Sequence, residues 1–96
     1  VMVKKVGKKP EVREIEDKLK VYQDIVGGYI EIIPFAENVL CICNEEGKLN
    51  NLPTNFILFD DIIVGDVIFI SAEGEDLCGL NERQIDLIEK LFQMKK

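Results

Sequence analysis

Cys41 and Cys43 stand two residues apart in an apolar run, and Cys78 is the third cysteine. Alternation along a strand puts the first two on one face. Three thiolates could begin a metal site. Structural zinc takes four ligands, commonly in C-x₂₋₄-C pairs, so a carboxylate would have to complete it. Buried, inert thiols are the simpler reading, and no metal is expected. The chain has no histidine. That removes the usual base at neutral pH and the commonest zinc ligand. Ser71 and Thr54 are the sole hydroxyl nucleophiles of their types, and neither has a histidine to activate it. Asp60, Asp61, Asp66, Glu73, Glu75 and Asp76 could pair for hydrolysis or hold Mg²⁺. They fall in turn-like segments, where charges are ordinarily solvated. A non-enzymatic protein with no cofactor is expected.

Asn44 to Asn55 reads Asn-Glu-Glu-Gly-Lys-Leu-Asn-Asn-Leu-Pro-Thr-Asn. It places amides, a lysine, a glycine and a proline in an irregular stretch after a strand. Asparagine offers both donors and acceptors, and loops on rigid scaffolds often bind ligands. The ligand-binding candidates are Gly28, Tyr29, Asn44, Lys48, Pro53 and Asn55. Tyr29 could stack on a base, Lys48 could pair with a phosphate, and Asn44 and Asn55 could read polar edges. Gly27-Gly28 is not a phosphate loop. It lacks both glycine-rich nucleotide motifs and follows a helix instead of opening one.

The charge balance is acidic, with 12 Lys and Arg against 18 Asp and Glu, a net charge of −6. Such a chain repels a nucleic-acid backbone unless its cations cluster. Lys4-Lys5 and Lys8-Lys9 do cluster, and Lys95-Lys96 ends the sequence. A solvated edge is the ordinary account of the first four; a small anion-binding patch is the alternative. Nucleic acid is not an expected partner. An odd cysteine count without framework spacing argues against a secreted disulfide scaffold. The start lacks the apolar core of a signal peptide, and acids interrupt the apolar stretch Phe56 to Ile70, so no membrane span is expected. A cytoplasmic location follows as the expectation.

The 96 residues suit one domain, with Val1 set aside as extraneous to the fold. Met2 to Val6 and Glu11 to Ile15 read as short strands. Asp17 is placed to cap a helix over about 17–26, with Leu19, Tyr22, Ile25 and Val26 as its apolar stripe. Gly27-Gly28 stops it. Tyr29 to Phe35 is a strand with Pro34 expected at its end, since proline cannot donate to a ladder. Val39 to Cys43 follows across a hairpin-length turn. Asn55 to Phe59 reads as a helical turn or a strand, and Asp60 to Gly65 as a connector. Val67 to Ser71 is a strand, and Leu77 to Leu80 a short pairing segment. Asn81 and Gln84 have capping-box spacing, opening a helix over about 82–94 with Ile85, Ile88, Leu91 and Phe92 as its stripe. Lys95 and Lys96 would then meet its dipole. The order gives an α+β fold: an antiparallel or mixed sheet of about 4–6 short strands with two helices packed on it.

Four pieces occur in order: Val26-Gly27-Gly28-Tyr29-Ile30-Glu31, Cys43-Asn44-Glu45-Glu46-Gly47-Lys48-Leu49-Asn50, Leu52-Pro53-Thr54-Asn55, and Ile62-Ile63-Val64-Gly65-Asp66-Val67-Ile68-Phe69-Ile70. Together they resemble a family of small domains, three-eight-four-six in the domain-of-unknown-function series, from Met2 to about Leu80. Where that pattern often carries a basic residue after the second asparagine, this chain has Phe56. The resemblance implies a setting in phages, plasmids and other mobile elements of bacteria, and no known activity.

The first functional expectation is therefore a phage or mobile-element anti-defence protein that sequesters a small nucleotide-derived signal. Sites of that kind often form between subunits, so a homo-oligomer is expected. The alternative is an acidic protein that binds and inhibits a host defence protein, by mimicking DNA charge. A carboxylate-only enzyme and a structural phage component complete the field.

Overall fold

A computed structural model describes residues 1–93. The elements in chain order are β1 (Met2–Lys4), β2 (Glu11–Val12), α1 (Leu19–Val26), β3 (Ile30–Ala36), β4 (Val39–Asn44), β5 (Thr54–Leu58), β6 (Asp61–Val64), β7 (Val67–Glu73), β8 (Asp76–Cys78) and α2 (Glu82–Gln93). The fold is α+β, as the order of elements predicted. One antiparallel sheet has six strands in the order β2-β1-β7-β4-β3, with β8 also pairing β7. β1 pairs the first part of β7 and β8 the last part. β5 and β6 form a separate antiparallel hairpin.

The sheet is covered on both faces. Met2, Cys41, Cys43, Val67 and Phe69 form one core with Phe56 and Ile63 of the hairpin and Ile88 of α2. Val3, Ile42, Ile68 and Ile70 form the other with Tyr22 and Val26 of α1. The layers are α1, then the sheet, then the hairpin beside α2. This explains why the central strands β4 and β7 are nearly continuously apolar although antiparallel.

Four phenylalanines join the third layer to the sheet. Phe69 of β7 and Phe35 of β3 have ring centroids 4.7 Å apart, and Phe56 of β5 and Phe92 of α2 are 5.2 Å apart. The Phe69–Phe92 distance is 5.7 Å, and Phe56 lies 6.0 Å from Phe69. Aromatic pairs in this range attract beyond the area they bury.

Several sequence expectations hold locally. Gly27 takes φ +85°, and its N–H donates to the Gln23 carbonyl, which ends α1. Asn81 and Gln84 exchange both capping-box bonds, each 2.9 Å. The expected end of that helix at 94 and the positions of Lys95 and Lys96 lie outside the described residues.

Others are corrected. The Asp60–Gly65 connector is largely β6: Ile62 and Ile63 pair with Ile57 and Phe56, and the aspartates sit at the turn. β2 stops at Val12, short of Ile15. Pro34 lies within β3, paired with Leu40 ahead of a register shift. β3 is an edge strand, so a missing N–H can face outward without loss. Asp17 does not cap α1, whose N-cap is Lys18 without a side-chain bond. Its carboxylate instead accepts the Tyr22 hydroxyl hydrogen bond. Leu19 stays exposed, because the stripe engages only from Tyr22 onward. Val1, left out of the sequence-based fold, makes contacts in it: its carbonyl accepts from the Arg13 N–H at 3.0 Å, and its side chain packs, partly buried, against the α1 core.

Burial pushes the Tyr22 hydroxyl up to about 12 from its usual 10.0, helped by the hydrogen bond to Asp17 and that carboxylate's charge. A pKa raised on folding contributes stability that is complete below pH 10 and lost as pH rises through about 12. Urea unfolding of wild type and Tyr22→Phe at stepped pH should show a stability difference that is constant below pH 10 and declines towards 12. A difference independent of pH across that window would contradict the Tyr22–Asp17 contact.

Candidate functional site

The polar loop that follows β4 divides on folding. Gly28, Tyr29 and Asn44 come together at the C-terminal end of α1, where they border an open hollow of about 430 Å³ with Asp24, Glu46 and Asn50. Asn44 is buried, and its amide is already occupied: Nδ2 donates to the Val26 carbonyl at 3.2 Å, and Oδ1 accepts from the Glu46 N–H at 2.8 Å. It closes the end of α1 and turns the loop. A Cβ on Gly28 would come within 3.0 Å of that amide nitrogen, so Gly28 is the space Asn44 needs. Tyr29 is 66 % exposed and available for stacking. The hollow's charged side chains are both acidic, which suits no anion.

Lys48 lies in a neighbouring depression with Glu31, Glu45 and Asp61. Its ammonium pairs with the Asp61 carboxylate at 2.5 Å. That hydrogen bond holds Asp61 below the usual carboxylate range. Exposed pairs of this kind contribute little stability. Here Lys48 neutralises one of three acids. Pro53 contributes its carbonyl, which accepts from the Gly65 N–H at 2.8 Å, and fastens the open end of the hairpin.

Asn55 sits elsewhere. Its Nδ2 donates to the carbonyls of Lys4 at 2.9 Å and Gly65 at 2.8 Å, and its Oδ1 accepts from the Lys4 ammonium at 2.5 Å. It pins the hairpin to β1. Lys4 is only 6 % exposed, and its Nζ stands 5.2 Å from the centre of the Phe92 ring, a cation–π distance.

Around this fastening lies a cleft of about 490 Å³, lined by Lys4, Gly7, Lys8, Lys9, Thr54, Asn55, Phe56, Ile57 and Phe92. The chain builds its wall with a turn after β1: the Lys8 N–H donates to the Lys5 carbonyl at 3.1 Å, Gly7 takes φ +76°, and Asp66 accepts the Val6 N–H at 2.9 Å. Lys8 and Lys9 are exposed on that turn and make no ion pair among the described residues. Three ammonium groups, the Thr54 hydroxyl and an aromatic face thus share one cleft, and none of the described residues that line it is acidic. The volume falls in the range typical of small-molecule sites. The sequence points to Asn55 and offers the lysine pairs as an anion-binding patch, but it gives no sign that Thr54 and Phe92 join them. The lysine pairs were the available signal.

The thiols do not form a centre. Cys41 and Cys43 are buried in the core facing the hairpin, while Cys78 is half-buried on β8. Burial pushes the Cys43 thiol up to about 11, with the charges of Glu31 and Asp61 adding to it, and raises Cys41 further. Both are therefore protonated, poor nucleophiles at neutral pH. Among the described residues no group of three or more acids and cysteines could hold a metal ion. No described helix is long and apolar enough to cross a membrane.

Residues 1–93 match the family described as Domain of unknown function (DUF3846). The chain belongs to that family. No curated protein and no solved structure matches it. The DUF3846 segments singled out on sequence divide between structure and surface: the Val26–Glu31 and Cys43–Asn50 pieces meet at Asn44, and the Leu52–Asn55 piece meets Lys4.

Asn55→Ala leaves the carbonyls of Lys4 and Gly65 without their donor, and each unsatisfied partner costs about 1–3 kcal/mol. Urea denaturation should show a loss of roughly 2–6 kcal/mol. A loss within about 0.5 kcal/mol, the usual effect of a surface change, would mean that Asn55 does not fasten the hairpin.

Proposed function

We propose that this protein is a non-enzymatic binder that sequesters a small nucleotide-derived anion in the lysine-lined cleft, acting as an anti-defence factor in a phage or mobile-element setting. The observation that carries the reading is the concentration of Lys4, Lys8 and Lys9 around one aromatic-walled cleft on a chain of net charge −6. A cleft of one sign focuses the field and draws oppositely charged ligands. Lys8 and Lys9 would hold phosphate oxygens, Thr54 would donate from its hydroxyl, and a base would lie against Phe92 and Ile57. Lys4, held by Asn55, fixes the wall from which Lys8 and Lys9 project. The raised thiol pKa values of Cys41 and Cys43 support binding without covalent chemistry.

The site differs from the one expected at Tyr29, Asn44 and Lys48. That region carries Asp24, Glu31, Glu45, Glu46 and Asp61, and would repel phosphate.

Melting curves with ADP, inorganic pyrophosphate and a set of cyclic di- and trinucleotides test the reading at low salt. Any ligand at a hundred times its Kd stabilises the fold by about 2.7 kcal/mol, or roughly 10 °C or more for a domain of this size. At least one nucleotide should raise the Tm in this way, and Lys8→Ala with Lys9→Ala should abolish the rise. No shift with any of them overturns the proposal and leaves binding of a host protein as the stronger reading.

A further inference from the structure

The hairpin carries an apolar surface on its outward side. Ile57 and Ile62 are cross-strand partners there, where a half-covered hairpin ordinarily shows polar residues, and Ile57 is 59 % exposed. Phe59, in the two-residue turn between β5 and β6, is 85 % exposed. Leu87 and Leu91, one turn apart on α2, are exposed as well. A groove of about 230 Å³ opens among Phe35, Phe56, Phe59, Leu91 and Phe92. Apolar patches of this kind mark interaction surfaces.

Phe59 is the unusual member. It takes φ +54°, in the left-handed region that disfavours bulky side chains. Glycine or asparagine would fill this position of a two-residue turn without strain. A large aromatic is thus held in a strained conformation, in solvent, at the lip of an apolar groove. An exposed ring and an apolar recess lie side by side on one surface. A two-fold axis beside them would seat each protrusion in the other copy's recess, which is what an isologous interface requires.

The charges around the patch have the same self-complementarity. Asp60 adjoins Phe59 at the tip and is exposed. Lys8 and Lys9 border the cleft that shares Phe56, Ile57 and Phe92 with the groove. Two-fold exchange brings each acidic tip towards the partner's basic wall, the arrangement that fixes orientation in charged interfaces. The sheet edge offers no comparable surface. β3 carries Glu31, Pro34 and a register shift, devices that blunt edge pairing.

We infer that a second copy of this chain covers the hairpin face, with Phe59 of each copy seated in the groove between Phe35 and Leu91 of the other. With the partner's Asp60 facing Lys8 and Lys9, an anion in the cleft competes with this contact, and the inference stands whether or not that cleft binds a nucleotide.

Sedimentation and melting of the full chain over a wide range of micromolar concentrations test it. The wild type should sediment as a dimer, with a Tm that rises with protein concentration. Phe59→Asn removes the anchor and suits the backbone better, so the variant folds. It should raise the dimer dissociation constant by roughly thirtyfold or more, as loss of a central aromatic anchor does. The concentration dependence of its Tm should shift to correspondingly higher protein concentrations. Asp60→Lys should weaken the dimer, and combining it with Lys9→Asp should restore association. A wild type that remains monomeric at every concentration, or a Phe59→Asn protein as dimeric as the wild type, would overturn the inference.

Discussion

Packing of Phe56 against Phe35, Phe69 and Phe92 is the contact on which the third layer depends. The hairpin β5–β6 makes no ladder with the main sheet. It is held instead by those rings, by Ile63 in the same core, and by the Asn55 amide across to β1. α2 leans on the same rings through Phe92 and on the core through Ile88. Remove the ring cluster and one face of the sheet, including Met2, Cys41 and Phe69, opens to water.

The same contact sets the chemistry. Phe92 is at once a core ring, a face for the Lys4 ammonium and a wall of the cleft. Lys4 reaches it because the antiparallel β1–β7 pairing places Lys4 opposite Val67, close to Gly65 and Asn55. A lysine this deeply buried needs partners for its charge, and an amide oxygen and an aromatic face are among them. The exposed lysines of the following turn then extend that fixed charge outward. Core and cleft are therefore one construction, and a change that loosens the hairpin should disturb both.

Much of the fold was legible in the sequence. The β-branched runs of β3, β4 and β7, the Gly27 stop and the Asn81–Gln84 capping box act through neighbouring residues, so local patterns reveal them. β6 was hidden by Asp60 and Asp61, which read as a connector because nothing local shows that Leu58 and Asp61 pair around Phe59. Asp17 looked like a helix cap because its competing partner, the Tyr22 hydroxyl, is fixed by burial. The site was harder still. An asparagine that reads a ligand and one that satisfies backbone carbonyls have the same signature, and both Asn44 and Asn55 serve backbone. Lys4 and Asn55 are 51 residues apart in sequence, so their meeting is a property of topology, not of any motif.

The central claim is that the lysine-walled cleft, not the loop around Tyr29, receives an anionic nucleotide. Amide NMR spectra of isotope-labelled protein, titrated with cyclic di- and trinucleotides, test it at residue resolution. The account predicts saturable shifts concentrated at Gly7, Lys8, Lys9, Thr54 and Asn55, with Gly28, Tyr29 and Asn50 unmoved. Shifts centred on Tyr29 and Asn50, or none with any of these ligands, would contradict it.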